Sequence, residues 1–235
     1  MILLPPSEGK SEGGDPGTRW NPKSGTFPVL GTSRTKIVRA LADANGGSAA
    51  LLGVGGKHLD RARAANTSLT SSPTCAAWKR YTGVVWDHLD IASLTARERT
   101  IALAAIVVPS ALAGVVAAGD PLPDYRLKIG ASLAPLGKMA TWWRDAVTAA
   151  FATHVGNRPV IDLLTNDHRS VFADRAGWRE VTFVSKSGVA IGHDAKATKG
   201  LFARHLIAAL ADGATIDDAL SSFRNGKLTV KVRTV

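Results

Sequence analysis

The chain has 235 residues, 45% hydrophobic and 20% charged, an ordinary globular composition with enough apolar material for a packed core. Lys and Arg outnumber Asp and Glu by 29 to 19, a formal charge of +10, which points to an anionic partner such as nucleic acid or phosphorylated small molecules. The single cysteine, Cys75, excludes an internal disulfide framework and any multi-cysteine metal or iron–sulfur site, and fits a reducing compartment.

No internal repeat, low-complexity tract or long linker interrupts the chain, so residues 1–235 read as one compact domain. The opening "MILLPPSEGK" has neither the basic leader nor the long apolar region of a secretory signal. It reads as a strand over Ile2 to Leu4 followed by an irregular loop. Ser7 and Lys10 have the spacing of a Ser-x-x-Lys nucleophile pair, but that pair works where it opens a helix, and Gly9 with two prolines disfavours one. A strand leading into a Ser/Gly/Lys loop is also a plausible anion nest.

Beyond a glycine- and proline-rich stretch, helices are expected over Ser33 to Ala44, Lys57 to Ala65 and Thr74 to Arg80, forming a helical lobe at about 33–90. Inside it lies "LLGVGGKHLDRARAAN". A phosphate-binding loop needs Ser or Thr after Gly-Lys, and His58 follows Lys57, so that reading fails, as does the dinucleotide fingerprint. A helix-hairpin-helix fits better: "GSAALL", a "GVGG" turn, then "KHLDRARAA". Gly53, Gly55 and Gly56 permit a sharp turn that bares backbone N–H groups, Val54 plugs between the helices, and Lys57, Arg61 and Arg63 neutralise phosphates. Such a grip on DNA reads phosphates and not base edges. The plain alternative is an interhelical turn beside a solvated basic helix.

The run Ile101 to Gly119 is uncharged and as long as a membrane span. Pro109 at its middle, and turn chemistry without aromatic belts at its end, argue for a doubly buried strand over Ile101 to Val108. "DYRLKIG" supplies Tyr125, Arg126 and Lys128. A helix over Lys138 to His154 holds Trp142 and Trp143, at least one of them for core packing. Strands are expected at Pro159 to Leu164, Val181 to Ser185, Val189 to Gly192 and Leu228 to Arg233, alternating with helices at Asn166 to Phe172, Lys196 to Asp212 and Ile216 to Phe223. This alternation predicts a mixed α/β fold. Asp167 and His168 follow a strand, where α/β sheets build sites, although Asn166 or Asp167 would also serve as a helix cap.

Lys196 and Lys199 open a helix, where cations oppose the macrodipole, and a cation kept there often faces an anion. With Ser7, Lys10, Tyr125 and Arg126 they suggest a basic cleft, separate from the hairpin. The six histidines show no metal spacing, and no metal or other cofactor is expected.

The motifs "ILLPPSEGK", "LLGVGGKHLDRARAAN", "YTGVVWDHLD", "VPSALAGVV", "DPLPDYRLKIG", "WWRDAV", "VIDLLTNDH" and "HDAKATKGLFARHLI" occur in order from about Met1 to Leu210. In this the chain resembles the YaaA family of peroxide stress proteins. The resemblance implies a cytoplasmic single-domain fold with a mixed sheet, surrounding helices and a helix-hairpin-helix. It also implies binding of duplex and distorted DNA and a role in limiting oxidative damage. The matching polar and glycine positions are Ser7, Lys10, Tyr81, Gly83, Ser110, Gly114, Tyr125, Arg126, Asp162, Lys196, Lys199 and Gly200. The chain departs from the family at Ala113, at Ala117 and Ala118, and over Thr165 to His168, which points to a divergent member. Two functions follow as expectations: a sequence-independent double-stranded DNA binder in oxidative stress, or an enzyme acting on a nucleotide, nucleobase or other phosphorylated metabolite in the cleft. Neither involves a membrane.

Overall fold

The computed structural model describes residues 1–235 apart from 186, 187, 190, 191 and 227. In chain order the strands are β1 (Ile2–Leu3), β2 (Thr74–Ala76), β3 (Ile106–Ser110), β4 (Gly114–Ala117), β5 (Pro121–Pro123), β6 (Ser132–Leu133), β7 (Gly137–Lys138), β8 (Ile161–Asp162), β9 (Arg179–Ser185), β10 (Gly188–Val189) and β11 (Thr229–Thr234). The α-helices are α1 (Gly31–Asp43), α2 (Ala49–Leu52), α3 (Lys57–Thr67), α4 (Ala77–Arg80), α5 (Val84–Leu89), α6 (Ala96–Ala105), α7 (Met139–Val155), α8 (Asn166–Arg169), α9 (His193–Ala211) and α10 (Ile216–Ser222).

The main sheet has the order β10-β9-β8-β1-β3-β4, and β11 pairs with the free edge of β9. β1 lies parallel to β3 on one side, Ile2 opposite Ile106, and parallel to β8 on the other, Ile2 opposite Ile161. A strand flanked in this way and covered on both faces must be apolar throughout, and Ile2 and Leu3 are buried. β8 continues parallel into β9, while β4, β10 and β11 run antiparallel to their neighbours. The result is a mixed α/β domain around one hydrophobic core that runs from Met1 to Leu228. From β1 the chain crosses to β3 on one side and later returns to β8 on the other, so the order of strands reverses at β1. The carboxyl ends of strands at such a reversal are where open α/β sheets bind ligands.

Two expectations need correction. Ile101 to Ala105 are helical: Thr95 and Glu98 form a reciprocal capping box that starts α6, and the strand begins only at Ile106. Thr74 to Ala76 are strand β2, paired with β5, because Thr18 ties both the N–H and the carbonyl of Thr74 to its hydroxyl, and the helix starts at Ala77. Of the expected strand Val189 to Gly192, Val189 lies in β10, positions 190 and 191 fall outside the described residues, and Gly192 precedes α9 with φ +77°. The apolar run Ile101 to Gly119 is divided among α6, β3 and β4, and among the described residues no helix is long and apolar enough to cross a membrane.

Two buried anchors hold the elements that surround the β1 end. Arg34 on α1, 2% exposed, donates to the carbonyls of Pro22, Ser24, Ala113 and Val115, and so pins the glycine-rich loop and β4 together. Gly200 on α9 lies so close to α5 that an added Cβ would meet the Val85 carbonyl oxygen at 2.2 Å. A helix crossing this tight needs a residue without a side chain.

Candidate functional site

Three loops meet at the carboxyl ends of β1, β3 and β8: Pro5 to Lys10, Ala111 to Ala113, and Leu163 to His168. They border a cleft of about 430 Å³ whose walls include Ser7, Glu8, Lys10, Tyr125, Arg126, Lys128 and His168. Its opposite wall is the stretch around the glycine turn, with Ala50, Leu51 and Gly53. The start of the glycine turn therefore forms part of the cleft wall, contrary to the expectation that the two are separate.

The turn itself is built as its glycines require. Ser48 caps α2 by accepting from the Leu51 N–H, Gly53 ends the helix at φ +63°, and Gly56 precedes α3 at φ +53°. Only glycine enters such conformations without strain. Gly55 and Gly56 are exposed, and Lys57 projects from the first turn of α3 into solvent. The arginines are engaged within the protein. Arg61 pairs with Glu12 and Asp124, each at 2.8 Å, and Arg63 donates to the Gly47 carbonyl. Buried Asn66 then joins α3 to the loop segment of cleft residues by exchanging hydrogen bonds with the backbone of Arg126.

Arg126 spans the two halves. It donates to the Leu52 carbonyl at the end of α2 and to the Glu8 carbonyl of the first loop. Lys128 pairs with Glu8 at 3.2 Å, and this bond holds the Glu8 carboxyl below the usual carboxylate range. Lys10 lies deeper. Its ammonium is 4.4 Å from the Tyr125 ring centroid and donates to the Ser7 backbone carbonyl at 3.1 Å. The Ser7 hydroxyl donates to Gly9 O, so the Ser-x-x-Lys nucleophile pair is not assembled. Burial, reinforced by the Arg126 charge, lowers the Lys10 ammonium to about 8.

Beneath Lys10 runs a buried chain of hydroxyls. Ser110 and Tyr125 are 2.9 Å apart, Tyr125 and Tyr81 3.1 Å, and the Ala113 N–H donates to Ser110. Burial raises both tyrosines above the ordinary phenol range. They are thus neutral at physiological pH and act as hydrogen-bonding supports under the lysine. The backbone of Ala113 ties the two together, its N–H donating to Ser110 and its carbonyl accepting from Arg34.

On the β8 side, Lys199 reaches from α9 to the carbonyls of Leu163 and Leu164 at 2.6 and 3.3 Å. This explains the unfavourable position of a lysine near the start of α9: its partners are strand-end carbonyls. Burial and the Arg169 charge lower its ammonium to about 8. Fully buried Asp162 accepts from the Leu164 N–H and from Arg169, fixing the loop that carries His168. His168 is lowered to about 4, first by burial and then by Lys199 and Lys10, with Asp167 opposing, so its imidazole is neutral. Its Nδ1 is bonded to the Thr165 hydroxyl at 2.8 Å, and neither Asn166 nor Asp167 caps α8.

Lys196 is exposed a turn before Lys199, and neither lysine is among the residues that line the cleft; Lys199 stands behind the loop that carries His168. Gly200 serves the α5–α9 crossing. Trp143 is buried and donates to the Ala111 carbonyl below the cleft floor. Sequence reasoning did not single out Glu8, Asn66 or Arg169: Glu8 and Asn66 sit inside recognised motifs but act through Lys128 and the Arg126 backbone, far along the chain, and Arg169 acts through buried Asp162. Among the described residues no three His, Cys, Asp or Glu side chains are grouped as metal ligands would be.

The fold and the site define a class: an α/β protein with a cleft lined by Lys10, Arg126 and Lys128 at the point where its parallel strands reverse order. The family described as peroxide stress protein YaaA matches residues 1–231. A UPF0246 protein of Corynebacterium efficiens is 33% identical over 99% of this chain and 95% of its own. Another, from Corynebacterium glutamicum, is 32% identical over 98% and 94%, and one from Streptomyces coelicolor 31% over 88% and 83%. This chain belongs to the YaaA/UPF0246 family.

Proposed function

We propose that this protein binds DNA without sequence specificity through the glycine hairpin and the adjoining cleft, in the cytoplasm, as part of a peroxide stress response. The observation that carries this reading is the continuity of the two: Gly53 belongs to the cleft wall, and the Lys128 Nζ lies 3.1 Å from where its Cβ would be. Exposed backbone at the turn, Lys57 and Lys128 form the outer contact with phosphates. Arg61, paired with Glu12 and Asp124, and Arg63, bonded through its Nε to the Gly47 carbonyl, brace α3 while both stay exposed beside the turn and add to the positive charge a phosphate backbone meets.

Such binding weakens with salt as counterions are released, the slope of log affinity against log salt being about 0.9 per neutralised phosphate. Fluorescence anisotropy with an arbitrary duplex is expected to give a steep slope, and Lys57→Glu is expected to weaken binding and flatten it. Salt-independent binding, or an unchanged slope in Lys57→Glu, refutes the hairpin contact. A second reading, an enzyme acting on a nucleotide or related phosphorylated compound, is favoured by Lys10 and Lys199, whose ammonium groups at about 8 supply free amine near neutral pH.

A further inference from the structure

Glu8 reaches from the first loop to the segment 125–128, and its two carboxylate oxygens go to different cations. Oε2 lies 3.5 Å from the Arg126 Nη2 and Oε1 3.2 Å from the Lys128 Nζ. Among the described residues this carboxylate bonds nothing else, and neither cation pairs with any other carboxylate. Asp124, which shares a wall with Arg126, is bonded to Arg61, and Asp167 lines the cleft without an ion pair to either cation. The Glu8 side chain is 71% exposed, against 22% for Arg126 and 42% for Lys128, so the carboxylate is the member of the trio most open to water.

The two cations are held in place without the help of that carboxylate. Arg126 donates through Nε to the Leu52 carbonyl and through Nη1 to the backbone carbonyl of Glu8, which leaves Nη2 directed at the carboxylate. Asn66 fixes the backbone of Arg126 from α3. Lys128 lies along the glycine turn, its Nζ 3.1 Å from where a Cβ on Gly53 would stand. Glu8 and Arg126 also border a second hollow of about 180 Å³, between the first loop and α3, whose lining includes His58 and Arg61. The cation pair is therefore a preformed seat for a singly charged anion with two free oxygens, open from the cleft on one side and from this hollow on the other.

We propose that Arg126 and Lys128 form the seat of a nucleic-acid phosphodiester, and that Glu8 occupies it as an internal competitor until a backbone phosphate displaces it. The inference rests on the DNA-binding reading above and names one point of contact together with its regulation. A carboxylate and a phosphodiester each carry one charge and present two free oxygens, so the bonds that Glu8 gives up are the ones the phosphate takes over. Exposed ion pairs add little, so breaking these two costs an incoming phosphate about three- to tenfold in affinity. A lone anion recovers only that loss, whereas a duplex that also meets Lys57 and the exposed turn adds further contacts and outcompetes Glu8.

The test is a double-mutant cycle on the full chain, read by fluorescence anisotropy with an arbitrary duplex: parent, Glu8→Gln, Lys128→Met and the double variant, each checked by circular dichroism. Glu8→Gln is expected to bind about threefold tighter or more. In the Lys128→Met background the same substitution should gain less than half as much on a logarithmic scale, because half of the contested seat is gone. Asp60→Asn removes an exposed charge on α3 that pairs with no cation among the described residues, and its effect should be the same in both backgrounds. A Glu8→Gln gain equal in both backgrounds makes Glu8 a general repulsive charge and overturns the seat. No gain in Glu8→Gln, with the parent binding duplex, overturns the seat and leaves the DNA reading standing. Absence of duplex binding by both parent and Glu8→Gln overturns the DNA reading. In that case thermal stabilisation by sodium pyrophosphate, larger in Glu8→Gln than in the parent and lost in Lys128→Met, assigns the seat to a free phosphorylated compound, and its absence overturns both.

Discussion

Replacing Gly200 with alanine places a methyl group where α5 already lies. The added Cβ would stand 2.2 Å from the Val85 carbonyl oxygen, 2.8 Å from the His88 Cβ and 2.9 Å from the Leu89 nitrogen. Comfortable non-bonded separations are about 3.5 to 4.0 Å between carbon atoms, so the helices must part by about 1 Å. Two of the three obstacles are backbone atoms and cannot rotate aside. Alanine gains about 0.5–1 kcal/mol over glycine in a helix interior, and overpacking costs about 1–3 kcal/mol. Against fixed backbone the cost lies at the upper end, leaving a net loss of about 2–2.5 kcal/mol. At about 2–4 °C per kcal/mol for a chain of this size, the midpoint of a thermal melt should fall by about 4–10 °C. Gly130→Ala, where an added Cβ meets nothing within 4 Å, is the control and should melt with the parent. A Gly200→Ala protein that melts at or above the parent temperature refutes the close-crossing argument. The displacement would also reach the cleft, because Trp86 on α5 donates to the Pro5 carbonyl at 3.2 Å, just before Ser7.

Lys10→Met tests the buried ammonium through pH. With the native group at about 8 and the ordinary lysine value at 10.5, the unfolded chain binds more protons between those values, so the parent gains stability as pH rises across that window. Relative to the parent, Lys10→Met should therefore be most favoured below pH 8 and lose that advantage by about pH 10.5; a difference in urea midpoint that does not vary with pH counts against it. Arg34→Met removes the donor from four carbonyls spread over the glycine-rich loop, Ala113 and Val115. A loss of about 3 kcal/mol or more is expected, with faster proteolysis between Ser11 and Pro28, and an unchanged urea midpoint would refute the anchoring role.

Much of the architecture was legible because it is written locally. The apolar run of β1, and the apolar residues around Asp162 in and beside β8, identify covered parallel strands, and the helices α1, α3, α7, α9 and α10 lie close to where apolar periodicity places them. Ile101 to Ala105 misled because a short apolar run suits a buried strand and a buried helix equally, and the Thr95–Glu98 capping box just upstream settled the matter. In the site, Lys10, Tyr125 and Arg126 were identifiable as polar residues in loops beside predicted strands. Lys196 is expected with them because it opens a helix where cations oppose the macrodipole and falls in the motif shared with the family, and helical phase, which sequence spacing alone does not orient toward a neighbour, turns it to solvent.

By itself, the sequence determined a basic α/β chain with a left-handed glycine turn, since charge, apolar periodicity and backbone freedom are properties of neighbouring residues. Only the tertiary structure decided which basic groups are spent and which remain available. Arg61 is quenched by Asp124, 63 positions away, and Lys199 is aimed at carbonyls 35 and 36 positions away. The hairpin likewise becomes a wall of the cleft only through Arg126, which reaches Leu52 across 74 positions and Glu8 across 118. Pairings over such separations depend on how the sheet and helices pack, and no local pattern in the chain encodes them.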